Sequence, residues 1–245
     1  MRYNMINVLI NGISGKMGQV VLHQIEASDK FTCIAGVNRS NNIYDIKTTP
    51  NVIIDFSVPE ATLSMLKYAQ EKHVPVVIAT TGFSDKQFNI IKGYSKKIPV
   101  FISANMSYET NLMISLVSRL AKELNDSDIE IVEAHHNKKL DAPSGTALMI
   151  AEGINNFLDN SMHYEFDRHS KHSIRSKKEI GIHSLRGGTE IGKHSVFFFG
   201  NNESLEITHT VTSRTVFANG ALKAAEFIIN KPAGLYNMDN LINKS

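Results

Sequence analysis

Residues 6–18 read Ile-Asn-Val-Leu-Ile-Asn-Gly-Ile-Ser-Gly-Lys-Met-Gly. Ile6 to Asn11 is a short apolar run typical of a buried parallel strand, and Gly12, Gly15 and Gly18 follow it. Glycines at the end of a first strand let the backbone turn sharply and approach a phosphate, while the next helix offers its N-terminal amides. The G-x-x-G-x-x-G spacing is a variant of the common fingerprint. Its position between a strand and a helix predicts a Rossmann-like domain that binds a dinucleotide.

The next ninety residues repeat the same rhythm of short apolar runs and helical patterns, which is typical of parallel strands joined by crossover helices. The predicted strands are Ile6 to Asn11, Phe31 to Val37, Val52 to Phe56, Pro75 to Ala79 and Pro99 to Ile102. The predicted helices between them are Lys16 to Ala27, Pro59 to Lys72 and Asp85 to Lys96. This alternation predicts a doubly wound parallel sheet.

Beyond Asn105 the rhythm changes, and strands follow one another without intervening helices. We predict helices at Tyr108 to Leu124, Gly145 to Leu158 and Val216 to Ile229, and strands at Ile129 to Ala134, Ile180 to Leu185, Lys193 to Phe199 and Ser204 to Thr212. An α+β domain with a mixed open sheet is expected here. The last helix is expected to return to the first domain, which gives residues 1–106 with 215–245 as the dinucleotide-binding domain and residues 107–214 as the second domain.

Cofactor choice in such domains depends on the residue that ends the second strand, where an acid binds the ribose hydroxyl of NAD. Here the strand ends Val37-Asn38-Arg39. Asparagine carries no charge, whereas Arg39, with Lys16, could hold a 2′-phosphate. NADPH is therefore expected to be favoured or at least accepted. Two more loops, Ala79 to Gly82 and Ser103 to Met106, follow predicted strands at the edge where open α/β sheets bind ligands, or they serve only as turns.

A second candidate site lies in the run from Glu133 to Ala147, which reads Glu-Ala-His-His-Asn-Lys-Lys-Leu-Asp-Ala-Pro-Ser-Gly-Thr-Ala. Ser144 is a candidate N-cap of the helix that follows, so free amides are expected near Gly145 and Thr146. Those amides and Lys139 favour a carboxylate or phosphate, and His135 and His136 can move protons near neutral pH. A purely structural helix start and a zinc site are the alternatives, but the ligand spacing for zinc is absent.

Composition excludes several classes of function. With 26 Lys and Arg against 24 Asp and Glu, the net charge of +2 gives no case for nucleic acid or an anionic membrane. Residues 168–178 hold five Lys or Arg and no acid, and we interpret them as a solvated loop or helix face rather than an anion-binding segment. The single cysteine, Cys33, indicates a buried strand residue in a reducing compartment. No apolar run approaches the roughly 20 residues that span a bilayer, so a cytoplasmic protein is expected.

Taken together, these motifs resemble the dihydrodipicolinate reductase family, also called 4-hydroxy-tetrahydrodipicolinate reductase. The resemblance rests on the glycine loop, Thr80-Thr81-Gly82, Ser103-Ala104-Asn105 and above all the run from His135 to Thr146. It continues through Asp55-Phe56-Ser57, Arg186-Gly187-Gly188, Gly192-Lys193-His194 and Ser213-Arg214 to the C-terminal Gly234-Leu235-Tyr236-Asn237-Met238. The chain departs from the family pattern at Asn38, where many members carry an acid, and at Glu109 and Thr110.

The resemblance implies reduction of a cyclic dicarboxylate by NADPH or NADH, in diaminopimelate and lysine biosynthesis, by a homotetramer joined through the second domain. It implies that His135 and Lys139 are catalytic. It implies substrate binding by His136, Lys139, Ser144, Gly145 and Thr146. It implies cofactor contacts from Gly12, Ile13, Ser14, Gly15, Lys16, Met17, Arg39, Ala79, Thr80, Thr81, Ser103, Ala104, Asn105 and Met106. No metal is expected.

Two other classes of function remain open from the sequence. A catalytically silent NAD(P)-sensing module would bind the dinucleotide without turnover, and would not need His135 or Lys139. Another amino-acid pathway dehydrogenase, acting on aspartate or homoserine, would share the architecture but would lack the His-His-x-x-Lys run.

Overall fold

The computed structural model describes residues 5–243. They form two compact units, one of residues 5–108 with 214–243 and the other of Glu109–Ser213. The strands are β1 (Ile6–Asn11), β2 (Phe31–Val37), β3 (Val52–Asp55), β4 (Val76–Ile78), β5 (Pro99–Ile102), β6 (Asp128–His135), β7 (His163–Glu165), β8 (Glu179–Arg186), β9 (Gly192–Phe199), β10 (Ser204–Val211) and β11 (Gly234–Tyr236). The helices are α1 (Lys16–Glu26), α2 (Pro59–Lys72), α3 (Asp85–Ser95), α4 (Tyr108–Glu123), α5 (Gly145–Phe157), α6 (Thr215–Ile228) and α7 (Met238–Ile242), with a short 3₁₀ turn at Ile43–Asp45.

The first unit is built on a six-stranded parallel sheet with strand order β11-β5-β4-β3-β1-β2. Its strands are apolar on both faces because successive side chains point to opposite sides and both sides are covered by helices. Val8 and Ile10 pack with residues of α1 and α6, whereas Leu9 packs with residues of α2 and α3. The carboxyl ends of β1, β3 and β4 therefore meet at one edge, where the glycine loop lies.

The second unit holds a five-stranded mixed sheet with strand order β10-β9-β6-β8-β7. The central strand β6 pairs antiparallel with β9 and parallel with β8. Alternate residues of β6, including Glu133 and His135, are buried, and the core on that face includes residues of α4 and α5. On the opposite face, Leu185 and Phe199 are 57% and 44% exposed. One face of this sheet is thus covered by helices and the other displays apolar side chains.

The predicted doubly wound sheet and the second mixed sheet are both confirmed, and each long predicted helix ends within two residues of its observed end. The sequence did not predict β7 and β11, which are three residues each. Strands this short carry too few residues for a periodic signal. Helix α6 packs in the core of the first unit.

The interpretation of residues 168–178 as a solvated segment is wrong for its two arginines. Arg168 contacts Glu130 and Glu179, and Arg175 donates to Glu130 and Asp128 at 3.0 and 3.1 Å. The segment neutralises acids on the sheet of its own unit. These ion pairs could not be predicted from the sequence, because Glu130 and Asp128 on β6 lie 45 and 47 residues before Arg175.

Residues 5–243 contain neither a membrane-spanning helix nor a cluster of metal-ligating side chains. None of the helices there has the length and apolar character that a bilayer crossing requires. That same part of the chain contains no group of three His, Cys, Asp or Glu side chains placed to hold a metal ion.

Candidate active site

The glycine loop turns from β1 into α1 in a conformation that two of its glycines make possible. Gly12 has a φ of +86°, and a Cβ atom there would lie 2.5 Å from the carbonyl oxygen of Phe56. A Cβ atom on Gly18 would lie 2.2 Å from the carbonyl oxygen of Gly12. Gly15 is the N-cap of α1 and has no side chain to cap it, and the first turn carries no acid. The N-terminal amides of α1 are thus suited to an anion.

A cleft of about 750 Å³ lies beside this loop. Its walls come from the glycine loop, the end of β2, the turn after β3 and the exposed side of α2. Asn38 cannot serve as an acidic ribose acceptor, and its side-chain oxygen already accepts from the Ser40 amide and hydroxyl at 2.8 and 2.6 Å. Arg39 is exposed and lines the same cleft. The size of the cleft, its glycines and its one cationic end fit a dinucleotide with a 2′-phosphate.

A buried carboxylate lies under this cleft. Asp55 is fully buried at the end of β3 and accepts four hydrogen bonds, from Asn11 Nδ2 at 2.8 Å, Ser57 Oγ at 2.5 Å, Thr62 Oγ1 at 2.5 Å and Thr80 Oγ1 at 3.0 Å. Burial raises the pKa of Asp55, and the four donors act against that rise. Asp55 therefore ties the ends of β1, β3 and β4 to α2.

A second cavity of about 480 Å³ lies in the same unit, at the ends of β4, β5 and β11. Thr80, Thr81, Ser103 and Ala104 line it. Of the other residues expected to contact cofactor, Gly12, Ser14, Gly15 and Arg39 line the larger cleft. Five more line neither space: Ile13, Lys16, Met17, Ala79 and Asn105. Met106 also lines neither space, and its side chain is buried in the core of the first unit.

In the second unit, the end of β6 places His135 beside a buried acid. His135 Nδ1 lies 2.5 Å from Glu133 Oε2, and both side chains are at most 10% exposed. Arg186 at the end of β8 binds the two oxygens of Glu133 with its two terminal nitrogens, at 2.8 and 2.6 Å. Burial acts to raise the pKa of Glu133, but the hydrogen bonds from Arg186, Ser184 and His135 hold it at about 2. Glu133 is thus a carboxylate at neutral pH.

Helix α5 begins at this acid. Ser144 is its N-cap, as the sequence predicted, and its hydroxyl accepts from the Ala147 amide at 3.2 Å. The Ser144 amide donates to Glu133 Oε1 at 3.1 Å, and the Ser144 hydroxyl contacts His194 Nε2 at 2.9 Å. Gly145 and Thr146 form the first two positions of the helix, and a Cβ atom on Gly145 would meet no atom within 4 Å. The space around Gly145, at the start of α5, is therefore not filled by other residues.

Burial lowers the pKa of His194 to about 4, and the adjacent His135 acts in the same direction. The two rings pack edge to face with centroids 5.2 Å apart. His194 is therefore neutral at physiological pH, which suits a hydrogen-bonding partner of Ser144 rather than a proton donor.

Lys139 and His136 lie on the loop between β6 and α5. Lys139 Nζ is 2.8 Å from Asp141 Oδ1, and the Asp141 side chain is 59% exposed. An ion pair with an exposed partner contributes little, so the ammonium can exchange Asp141 for a substrate carboxylate. The His136 amide donates to the Glu190 carbonyl at 2.7 Å, and His136 Nδ1 is buried without a hydrogen-bond partner among residues 5–243.

Sequence reasoning missed the functional placement of Asp55, Arg186 and His194. The sequence could have indicated that Asp55 and Glu133 are buried and paired, because Asp55 ends an apolar strand and Glu133 lies between two apolar residues of another. A charge in such a position requires partners. The partners themselves, which lie 44 and 53 residues away at Asn11 and Arg186, gave no local signal.

Comparisons with known proteins show the family to which this chain belongs. Two family models match the chain: "Dihydrodipicolinate reductase, N-terminus" over residues 6–106 and "Dihydrodipicolinate reductase, C-terminus" over residues 110–242. Among solved structures, a dipicolinate-bound dihydrodipicolinate reductase from Paenisporosarcina sp. TG-14 is 25% identical with a TM-score of 0.80, covering 96% of this chain and 98% of that chain. An amine dehydrogenase from Mycobacterium smegmatis, 10% identical with a TM-score of 0.61 over 97% and 96% of the two chains, shares the fold.

Two curated relatives extend the match over the full length. The 4-hydroxy-tetrahydrodipicolinate reductase of Caldanaerobacter subterraneus subsp. tengcongensis is 46% identical, over 98% of this chain and 99% of its own. That of Clostridium tetani is 43% identical, over 98% of both chains. With a dinucleotide cleft in one unit and a buried His-Glu-Arg cluster at a helix start in the other, the chain belongs to the 4-hydroxy-tetrahydrodipicolinate reductase family of NAD(P)H-dependent oxidoreductases.

Proposed function

We propose that this chain reduces 4-hydroxy-tetrahydrodipicolinate to tetrahydrodipicolinate, with loss of water, in diaminopimelate and lysine biosynthesis. The observation that carries the proposal is the junction of β6 and α5, where His135, Lys139 and an open helix N-terminus occupy one short stretch of chain. A cyclic dicarboxylate needs both cationic groups and a proton source, and this stretch holds both. The relatives that bear this name are 46% and 43% identical over nearly the whole chain.

The cofactor is held by the first unit. The glycine loop and the N-terminal amides of α1 bind the pyrophosphate, Arg39 binds the 2′-phosphate of NADPH, and Thr80, Thr81, Ser103 and Ala104 line the smaller cavity. When bound, the reduced nicotinamide supplies the hydride. We propose that NADPH and NADH are both accepted, because the uncharged Asn38 does not repel the 2′-phosphate of NADPH. It also lacks the negative charge that would favour the ribose hydroxyl of NADH.

The substrate is held and protonated by the second unit. Lys139, Gly145 and Thr146 bind one carboxylate, with Ser144 fixing the start of α5. His136, whose Nδ1 has no hydrogen-bond partner among residues 5–243, binds the same ligand. His135 exchanges the proton, with Lys139 as a second donor. This division gives each of the predicted residues His135, His136, Lys139, Ser144, Gly145 and Thr146 a specific task.

The same proposal extends to assembly. The open face of the second sheet displays Leu185 and Phe199, and Phe199 stacks on Phe197 with ring centroids 5.6 Å apart. Exposed apolar patches of this kind commonly form subunit interfaces. We infer that the homotetramer forms through this face. A cytoplasmic location stays a prediction from the single cysteine and the reducing compartment that it indicates.

The test is a coupled assay in which a synthase supplies the unstable substrate and oxidation of NADPH or NADH is followed by absorbance. We expect His135→Ala and Lys139→Ala each to lower kcat/KM by at least about 100-fold while the Kd for NADPH changes less than about threefold. A silent sensing module would bind NADPH without turnover. An aspartate or homoserine dehydrogenase would turn over those substrates instead, and either result would refute the proposal.

A further inference from the structure

We propose that Glu133 is the positioning residue of this site, and that its single carboxylate fixes both the proton-donating ring of His135 and the start of α5. The inference deepens the proposed function and rests on it, because it assumes that His135 exchanges a proton with the substrate. It adds an assignment of the reacting nitrogen, which is Nε2.

The Glu133 carboxylate is surrounded by the two terminal nitrogens of Arg186, His135 Nδ1, the Ser144 amide and the Ser184 hydroxyl. Oε2 faces His135 Nδ1 at 2.5 Å and an Arg186 terminal nitrogen at 2.8 Å. Oε1 faces the other Arg186 terminal nitrogen at 2.6 Å and the Ser144 amide at 3.1 Å. The arginine nitrogens and the amide can only donate, and Glu133 is fully buried. The carboxylate thus makes His135 Nδ1 a donor as well.

The consequence for His135 is a fixed tautomer. When Nδ1 holds its hydrogen toward Glu133, Nε2 is the nitrogen that gains and loses a proton during the reaction. A Cβ atom on residue 192 would lie 3.1 Å from Nε2, so glycine at this position leaves space beside that nitrogen. The structure therefore gives one nitrogen an orienting partner and leaves the other one approachable.

For the substrate, the consequence is that Glu133 positions both the proton donor, His135, and the start of the carboxylate-binding helix α5. Ser144 is the N-cap of α5, and its amide is held by the oxygen of Glu133 that does not contact His135. Arg186 fixes the orientation of the carboxylate by binding both oxygens, so neither partner can shift without the other.

Glu133→Gln tests this arrangement with almost no change in shape. The Arg186 nitrogens and the Ser144 amide can only donate, so the new amide nitrogen must face a group that can accept. On the Oε2 side that group is His135, whose Nδ1 can become an acceptor, and the Ser184 hydroxyl is the other group around Glu133 that can accept. The Arg186 nitrogen on that side keeps the Leu185 carbonyl at 2.6 Å as an alternative acceptor. The substitution should then move the ring hydrogen from Nδ1 to Nε2 while the amide oxygen still holds Ser144.

We therefore expect kcat to fall on the order of 100-fold in Glu133→Gln, while KM for the substrate changes less than threefold. Histidine ring ¹⁵N NMR, assigned with His135→Gln, should show the change of tautomer. Glu133→Ala, which also releases Ser144, should in addition raise KM for the substrate at least fivefold. A merely structural role would lower stability without this split between kcat and KM and without the tautomer change.

Glu130→Gln is the matched control. Glu130 lies on the same strand, binds His183 Nε2 at 2.7 Å and Arg175 Nε at 3.0 Å, and faces the opposite side of the sheet from α5. Its substitution should leave kcat and both KM values within threefold, with assembly checked by size-exclusion chromatography.

Three outcomes separate the inference from the proposed function. If His135→Ala keeps normal turnover, the proposed proton donor is wrong. If His135→Ala is inactive but Glu133→Gln keeps both kcat and the Nδ1–H tautomer, only the inference about Glu133 is overturned. If Glu133→Gln does not fold, Gly192→Ala decides the assignment: a methyl group beside Nε2 should lower kcat at least tenfold, and unchanged turnover would overturn it.

Discussion

The most informative stability experiment concerns Asp55, the buried acid under the dinucleotide cleft. Its four hydrogen-bond donors are an amide and three hydroxyl groups, so no cation offsets the burial of its charge among the described contacts. Burial raises its pKa in the folded protein. The folded state therefore binds the Asp55 proton more tightly than the unfolded chain does. Ionisation of Asp55 accordingly costs stability as pH rises through the folded pKa.

Asparagine resembles the protonated acid, because it offers one acceptor oxygen and one donor in nearly the same shape. In Asp55→Asn the oxygen can keep the Asn11 amide, since the hydroxyls of Thr62 and Thr80 can rotate to accept from the new amide nitrogen. Thr62 retains a second acceptor, the Val58 carbonyl at 3.2 Å. We expect the free energy of unfolding at pH 7 to stay within about 1 kcal/mol of the parent or to increase.

Asp55→Ala should behave differently because it removes the acceptor from all four donors. At a net contribution of about 0.5–1.5 kcal/mol for each hydrogen bond, the loss is about 2–6 kcal/mol. The Kd for NADPH should also rise at least tenfold, because Asn11 and Ser57, which line the cleft, lose their anchor.

The assay is urea denaturation followed by circular dichroism at pH 7. The transition that NADPH shifts upward identifies the first unit. A loss in Asp55→Asn as large as that in Asp55→Ala would refute the reasoning, since it would mean that the charge stabilises the fold more than burial opposes it. If both variants were as stable as the parent, the hydrogen bonds to Asp55 would contribute nothing measurable.

Three further predictions test other parts of the two units. In Gly18→Ala the new Cβ atom would lie 2.2 Å from the Gly12 carbonyl oxygen, so the Kd for NADPH should rise more than tenfold in a fluorescence titration. Gly93→Ala on α3 is the control: its Cβ atom would have no atom within 4 Å, and the Kd should not change. Arg39→Ala should raise KM for NADPH about tenfold and leave KM for NADH within twofold; equal effects on both would exclude a 2′-phosphate contact. The pKa of His194 is lowered from 6.5 to about 4 in the folded protein. Between these two pH values His194 is protonated in the unfolded chain and neutral in the folded protein, so the free energy of unfolding should fall as pH drops through this range. His194→Gln should flatten the pH dependence, and an unchanged slope would contradict the burial of a neutral imidazole.

The sequence predicted what depends on periodicity and on local turn chemistry. Parallel strands with two covered faces read as continuous apolar runs, and the Ser144 cap and the glycine loop are signalled by residue type at fixed positions. The partners of the buried charges could not be predicted in this way. Asp55 ends the apolar run of β3, and Glu133 is one of three acids on β6, so neither sequence shows which partners the acid will have. Which groups surround them depends on strand order, which places β8 beside β6 and β4 beside β3.

The two buried carboxylates show how the same residue class is adapted to two tasks. Asp55 receives only neutral donors, and its pKa is raised, whereas Glu133 receives an arginine and a histidine, and its pKa is held at about 2. Among the described contacts of Asp55, the donors are one amide and three hydroxyl groups, so its charge is buried without a cation. At Glu133 the ionised carboxylate accepts the hydrogen of His135 Nδ1, and Arg186 holds both carboxylate oxygens in place. The two sites thus hold a buried acid in different ways: neutral donors leave Asp55 with a raised pKa, whereas Arg186 helps to keep Glu133 ionised beside His135.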